Sequence, residues 1–185
     1  MPDHFDLVAI VDWSAASKPT SATTRNDAIW VGVTSDQGTS EERFRTRHAA
    51  EDYIRALLKT VLSEGQRALF GFDFAFGYPS GFATRLTDIG RAEAVWYWLS
   101  DRIEDGPDNR NNRFAVASEI NARYGGTGPF WSHPAGQTHL HLPRRKADID
   151  FAGLGIGEFR TVERQVKGAK SPWMLYNPGA VGSQS

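Results

Sequence analysis

A change in the spacing of apolar residues constrains the fold of this chain more than any other sequence feature. Residues 7–11 and 28–33 are apolar and rich in β-branched side chains, which predicts two buried strands. Residues 41–46 alternate charged and other side chains, which predicts an exposed third strand. Residues 49–62 then place apolar side chains at helical spacing. Residues 68–74 form a further apolar run, so the predicted order is strand, strand, strand, helix, strand.

This order places the fourth strand parallel to the first and beside it, because helical crossovers between parallel strands are almost always right-handed. Asp12 follows the first predicted strand, and Asp73 lies near the end of the fourth. Neighbouring strands are about 4.8 Å apart, so we expect the two carboxylates to meet at one edge of the sheet. Open α/β sheets bind ligands at such an edge. The apolar fourth strand is typical of a central strand covered by helices.

The second half of the chain has fewer strand signals. Helices are predicted at residues 88–103, 113–124 and 158–166, with loops rich in Gly and Pro between them. We interpret residues 1–185 as one domain that forms the N-terminal part of a longer protein, because its closing elements are missing.

Composition excludes several classes of protein. The chain has no Cys, which excludes disulfide frameworks, thiol nucleophiles and Cys-based metal sites. The net charge is −1, so there is no global basic field for nucleic acid. Apolar stretches fall far short of the ~20 residues that a membrane span needs, and no secretory leader is visible. We therefore expect a cytoplasmic protein with no membrane partner.

Two adjacent carboxylates repel, so either one takes a proton or a cation lies between them. Hard oxygen ligands favour Mg²⁺ or Mn²⁺, and such an ion polarises phosphoryl oxygens. The less specific alternatives are that Asp12 caps the following loop and that Asp73 forms a buried salt bridge with an arginine. The hydroxyls of Ser14 and Ser17 could hold a phosphate with nearby backbone N–H groups, although a plain Ser-rich loop is the alternative.

A polar cluster precedes the predicted helix 113–124. Arg113 could clamp a phosphate or carboxylate through its guanidinium, whereas helix capping is the simpler use of the asparagines beside it. These are Asn109, Asn111 and Asn112.

Three further groups allow two interpretations each. The first group is a set of three histidines that suggests a zinc site: His133, His139 and His141. Their spacing matches no recognised zinc-ligand motif. Three tryptophans beside loops could stack on bases or cover the edge of the core, namely Trp13, Trp131 and Trp173. The basic run at residues 144–146 could meet a phosphate backbone or be a solvated face.

The strand order resembles the ribonuclease-H-like fold, which nucleases, resolvases, transposases and actin-like ATPases share. The sequences at residues 11–15 and 71–79 are also similar to a family of uncharacterised bacterial proteins assigned to this fold. The segments 111–114, 128–131 and 179–184 extend that similarity. Some members of this family carry labels from molybdopterin or cobalamin synthesis.

This resemblance implies a mixed sheet with helices on its faces, in which Asp12 and Asp73 hold a divalent metal ion. It also implies a further acid, for which Glu119 is our choice and Glu93 and Asp101 are alternatives.

The function expected is therefore a divalent-metal-dependent phosphoryl transferase or phosphodiester hydrolase. Asp12, Asp73 and Arg113 would be its catalytic residues, and Mg²⁺ or Mn²⁺ its cofactor. Its partner would be a phosphate-containing small molecule or a nucleic acid. A non-catalytic nucleotide- or ligand-binding module and an actin-like kinase fragment that binds ATP near Ser14 are the alternatives.

Overall fold

A computed structural model describes residues 4–23, 27–177, 180 and 182–183. The chain divides into two compact units. The first consists of Met1–Asp73 and Asp105–Asn111, and the second of Phe74–Glu104 and Asn112–Ser185. The assignment of residues 1–185 to a single domain of a longer protein stays a prediction.

The first unit contains a mixed four-stranded sheet and one long helix. Its elements are β1 (Leu7–Asp12), β2 (Ile29–Ser35), β3 (Gly38–Phe44), α1 (Arg47–Ser63) and β4 (Ala68–Phe72). The strand order is β3-β2-β1-β4. The β1–β2 and β2–β3 pairs are antiparallel, whereas β1 and β4 are parallel. The α/β class and the order strand, strand, strand, helix, strand are therefore confirmed.

Alternation along the strands builds the core of this unit. Ala9 and Val11 of β1 are completely buried, whereas Ile10 between them is 56% exposed. Ala50 and Ile54 of α1 belong to the same apolar cluster as the buried side of β1. This alternation leaves the other side of β1, which includes Asp12, accessible to solvent.

The prediction that the fourth strand is central and buried on both faces was wrong. β4 is at one edge of the sheet formed by the described strands, and its Leu69 is 43% exposed. Only alternate side chains, such as Phe70 and Phe72, pack against the apolar cluster. A continuous apolar run does not by itself distinguish an edge strand from a central one.

The second unit is built from short helices and loops. Its helices are α2 (Phe82–Thr87), α3 (Ala92–Ser100), α4 (Arg113–Arg123), a 3-10 helix (Lys146–Asp148), α5 (Phe151–Leu154) and α6 (Thr161–Gln165). Trp173, Phe82 and Ile120 are almost fully buried in its separate apolar core. The predicted helix at 88–103 begins only at Ala92, because Asp88 has φ 60° and terminates α2.

None of the helices in the described part of the chain has the length and apolar composition that crossing a membrane requires.

Candidate functional site

Strand register brings Asp12 and Asp73 to the same end of two neighbouring strands. Val11 is paired with Phe72 in the parallel β1–β4 ladder, so the next residue on each strand is an aspartate. The backbone N–H of Asp73 donates to the carbonyl of Val11 over 3.2 Å and extends the ladder by one bond. Both aspartates are exposed. The predicted meeting of these two residues at one edge of the sheet therefore has a structural basis in the register.

The two carboxyls interact electrostatically. Partial burial raises the pKa of Asp12 above its ordinary value of 3.8, and the charge of Asp73 and a hydrogen bond with it raise this pKa further. Among the described residues, no lysine or arginine forms an ion pair with either aspartate. The alternative that Asp73 is neutralised by an arginine therefore finds no support in that part of the chain.

Asp73 also fixes the path of the chain as it leaves β1. Its Oδ1 accepts a hydrogen bond from the backbone N–H of Trp13 over 2.8 Å. The ring of Trp13 packs edge-on against Phe72, with 6.5 Å between ring centroids. These contacts hold the Asp73 carboxylate beside the residue that follows Asp12.

Scans of family models, curated proteins and solved structures found no match to this chain. Its chemistry therefore has to be inferred from its own residues.

The segment after β1 contains both serines predicted to hold a phosphate. Ser14 is buried, and its Oγ accepts a hydrogen bond from the backbone N–H of Ala16 over 3.2 Å. Ser17 is exposed. The Ser14 contact is a local turn of the kind that a plain Ser-rich loop forms, and phosphate binding by Ser14 and Ser17 stays a prediction.

A buried arginine that the sequence did not point to organises this segment. The guanidinium of Arg47, at the start of α1, forms a two-pronged ion pair with Asp105, with 2.6 Å between Nη2 and Oδ1. Its Nη1 also donates to the carbonyls of Ser14 (3.2 Å) and Ala16 (2.8 Å). Arg47 therefore anchors the backbone that continues from Asp12.

Asn109 completes this arrangement. It is 1% exposed and has φ 67°, a left-handed conformation that Asn tolerates better than most residues. Its Oδ1 accepts from the backbone N–H of Arg47 (2.8 Å), and its Nδ2 donates to the carbonyls of Lys18 and Arg45 (3.1 and 3.2 Å). Asn109 therefore holds backbone segments together and accepts the first backbone N–H of α1, although it is distant in sequence from that helix.

A cation in the first turn of a helix opposes the helix dipole, so an arginine at the start of α1 is an unfavourable choice without a partner. Had the start of this helix been placed at Arg47 instead of Ala49, this conflict would have been the signal for the Arg47–Asp105 pair.

The other predicted site residues belong to the second unit. Arg113 begins α4, with its guanidinium carbon 4.7 Å from the centroid of the Phe114 ring. Glu119 forms ion pairs with Arg123 (3.1 Å) and Arg102 (3.6 Å), which already balance its charge. These contacts do not test the predicted roles of Arg113 in binding phosphate and of Glu119 in binding a metal ion.

The alternative acids lie at the two ends of α3, with Glu93 in its first turn and Asp101 at its C-cap. The described residues contain no group of three or more His, Asp or Glu placed to share a metal ion. A third ligand in addition to Asp12 and Asp73 remains an expectation.

The prediction that an asparagine side chain caps α4 was wrong. Asn112 occupies the N-cap position, but its side chain makes no capping hydrogen bond. Its Oδ1 instead accepts from the backbone N–H of Glu104 (3.0 Å), and its Nδ2 donates to the carbonyl of Arg102 (2.8 Å). It therefore joins two loop segments within the second unit.

The histidines and tryptophans that the sequence singles out lie in different surroundings. The ring centroids of His133 and His139 are 5.3 Å apart. Burial lowers the pKa of His139, and the charge of His133 lowers it further. Trp173 is completely buried in the core of the second unit, which agrees with the alternative that it covers the core and not with stacking on a base. In the basic run, Lys146 forms an ion pair with Glu158 over 3.0 Å.

Proposed function

We propose that this chain is a divalent-metal-dependent phosphoryl transferase or phosphodiester hydrolase of ribonuclease-H-like type. One observation carries the proposal: the exposed, interacting carboxyls of Asp12 and Asp73 follow two neighbouring parallel strands at the same end. A carboxylate pair at the carboxyl ends of parallel strands is in the position where open α/β sheets bind ligands.

The topology supports the same proposal. The resemblance to the ribonuclease-H-like fold implies the order β3-β2-β1-β4 with a helix between β3 and β4, and it assigns acids to the ends of β1 and β4. Asp12 and Asp73 occupy those two positions.

The donor set fits a magnesium or manganese ion. Mg²⁺ keeps several of its waters and is commonly bound through one or two carboxylates, which is what Asp12 and Asp73 offer. Burial and then the charge of Asp73 raise the pKa of Asp12, and a cation between the two carboxyls would favour ionisation of both. When bound, such an ion would polarise a phosphoryl oxygen and lower the pKa of a coordinated water.

The other residues of the site would position these groups. Asp73 is held by the Trp13 N–H, and Arg47 fixes the carbonyls of Ser14 and Ala16 just beyond Asp12. A rigid backbone next to the acids would keep their spacing constant.

We assign the steadying of the phosphate to the hydroxyl of Ser14. Arg113 and Glu119 belong to the second unit, and their roles in binding phosphate and metal stay predictions. The substrate would be a phosphate-containing small molecule or a nucleic acid in the cytoplasm.

Calorimetric titration with Mn²⁺ tests the site directly. The unaltered chain should bind one ion, and Asp12→Asn or Asp73→Asn should weaken binding at least tenfold because each removes a charged ligand. Asp52→Asn, which changes an exposed acid on α1, is the matched control and should bind as the unaltered chain does. Equal binding by all four proteins, or no binding by any, would overturn the metal assignment.

Hydrolysis assays then test the reaction. With Mg²⁺ or Mn²⁺ present, we expect cleavage of bis(p-nitrophenyl) phosphate or a labelled oligonucleotide, and its loss in Asp12→Asn and Asp73→Asn. Stabilisation by a nucleotide without any metal-dependent turnover would instead identify a non-catalytic binding module.

A further inference from the structure

An apolar cavity of about 320 Å³ lies within the second unit, and none of its lining residues is assigned to the proposed reaction. The segment after β4 contributes Phe74, Phe76 and Tyr78 to its wall. Across from them, Trp96 and Leu99 of α3 lie at the three-residue spacing that places side chains on one helical face, and Ile103 continues that face. Two elements thus build one aromatic and aliphatic pocket.

The aromatic walls hold each other in place. The rings of Phe74 and Phe76 are 5.3 Å apart, and Phe76 meets Trp96 edge-to-face at 6.2 Å. The indole N–H of Trp96 donates to the carbonyl of Phe76 over 3.1 Å. Because this hydrogen bond satisfies the only polar atom of the Trp96 side chain, Trp96 offers the cavity carbon surface alone.

Tyr78 joins the wall of the cavity to the core of the second unit. The ring of Tyr78 stacks on Trp173 (4.9 Å, 17° between planes) and packs against Phe82 (4.7 Å), both of which belong to the core. Burial raises the pKa of Tyr78, so its hydroxyl stays protonated. No hydrogen bond to another described residue is found for this hydroxyl.

At the mouth, Phe76 and Trp96 are 48% and 45% exposed, which is unusual for adjacent large aromatic residues. No charged side chain of the described residues lines the cavity, and its polar side chains are the hydroxyls of Tyr78 and Ser100. A charged group would therefore lose its hydration there without compensation.

We propose that this cavity binds an uncharged planar aromatic ring system of one or two fused rings. Its volume lies in the range of small-molecule sites, and a cavity of about 150 Å³ already holds a benzene ring. A flat ring can pack against the exposed surfaces of Phe76 and Trp96, as aromatic pairs do. This inference is independent of the proposed metal site, because none of its residues takes part there.

Binding of two probes to the intact chain tests the proposal, with indole as a hydrocarbon-like ring and adenosine as a nucleobase. We expect saturable one-to-one binding of at least one probe by calorimetry and ligand-observed NMR. Preference for adenosine would identify a nucleobase as the source of the ring, and preference for indole a non-nucleotide aromatic compound.

Two wall variants and one matched control make the test specific. Trp96→Ala and Phe76→Ala should each weaken binding at least tenfold, whereas Tyr97→Ala, which removes the neighbouring, 73% exposed aromatic outside the cavity, should leave it unchanged. Circular dichroism checks that each variant is folded, and either wall variant suffices if the other fails to fold.

Three binding results would overturn the proposal. They are no saturable binding of either probe at millimolar concentration, equal effects of Trp96→Ala and Tyr97→Ala, or tighter binding of decanoate than of both rings. Sedimentation that shows a dimer abolished by Trp96→Ala would also overturn it, because the occupant would then be a second copy of the chain.

Discussion

The fold of the first unit disfavours ionisation of the Asp12 carboxyl. Its pKa is raised in the folded chain by partial burial and then by Asp73, so the folded state holds a proton that the unfolded state releases. Stability from this group is therefore present below the ordinary pKa of 3.8 and is lost as pH rises through the raised value.

Asp12→Asn should consequently stabilise the metal-free chain at pH 7 and leave it unchanged at pH 3. Because both aspartates are exposed, the gain should be below about 1 kcal/mol. Urea unfolding in EDTA at the two pH values measures it, with Asp52→Asn as the control. A variant less stable than the unaltered chain at pH 7 would contradict the repulsion between Asp12 and Asp73.

Arg47 and Asp105 provide a second prediction at the scale of single residues. Asp105→Ala leaves a guanidinium that is only 7% exposed without its carboxylate, and removal of one partner of a buried pair costs about 3 kcal/mol or more. Asp108→Ala, which breaks the exposed pair with Arg110, should change the free energy of unfolding little. Urea unfolding compares the two, and equal losses would show that Arg47 does not depend on Asp105.

At the scale of elements, the start of α1 depends on a cap. The Oγ1 of Thr46 accepts a hydrogen bond of 3.3 Å from the backbone N–H of Ala49. Thr46→Ala should lower the free energy of unfolding by about 1 kcal/mol, whereas Thr46→Ser keeps a capping oxygen and most of the stability. The two variants are compared by urea denaturation, and an equal loss in both would mean that the methyl group of Thr46, not its hydroxyl, matters.

Elements with a strong repeat were predictable from the sequence. The four strands and α1 follow from the spacing of their apolar residues. The meeting of Asp12 with Asp73 follows from the order of these elements along the chain. α5, at Phe151–Leu154, was not predictable, since a four-residue helix has no stability of its own and exists through contacts made elsewhere.

The contacts of Arg47 were not predictable from the sequence for a different reason. Asp105 is 58 positions from Arg47 in the chain, and Asn109 is 62 positions away. Their meeting depends on the return of Asp105–Asn111 to the first unit, which no local pattern indicates.

The whole molecule is more than a sheet followed by helices. Because Asp105–Asn111 belongs to the first unit, that unit is assembled from two separate stretches of the chain. The segment beyond Asp12 is therefore ordered by residues encoded far downstream, and the geometry of the proposed metal site depends on both stretches.

Metal binding should stabilise the folded chain as a whole, because an ion that binds only the folded state raises its stability. At a Mg²⁺ concentration one hundred times its dissociation constant the gain is about 2.7 kcal/mol. For a chain of this length that corresponds to a rise in Tm of roughly 5–10 °C.

The rise in Tm should depend on pH and on Asp12. Since Mg²⁺ requires ionised carboxylates, the rise should shrink as pH falls through the raised pKa of Asp12 and disappear at pH 3. Asp12→Asn should reduce the rise at pH 7 by about half or more, because binding at least tenfold weaker lowers the stabilisation. Since this variant is the more stable protein in EDTA by less than about 1 kcal/mol, adding Mg²⁺ should reverse the order of the two proteins. Thermal melts across a Mg²⁺ series measure this reversal, and an equal rise in both proteins would place the bound ion elsewhere.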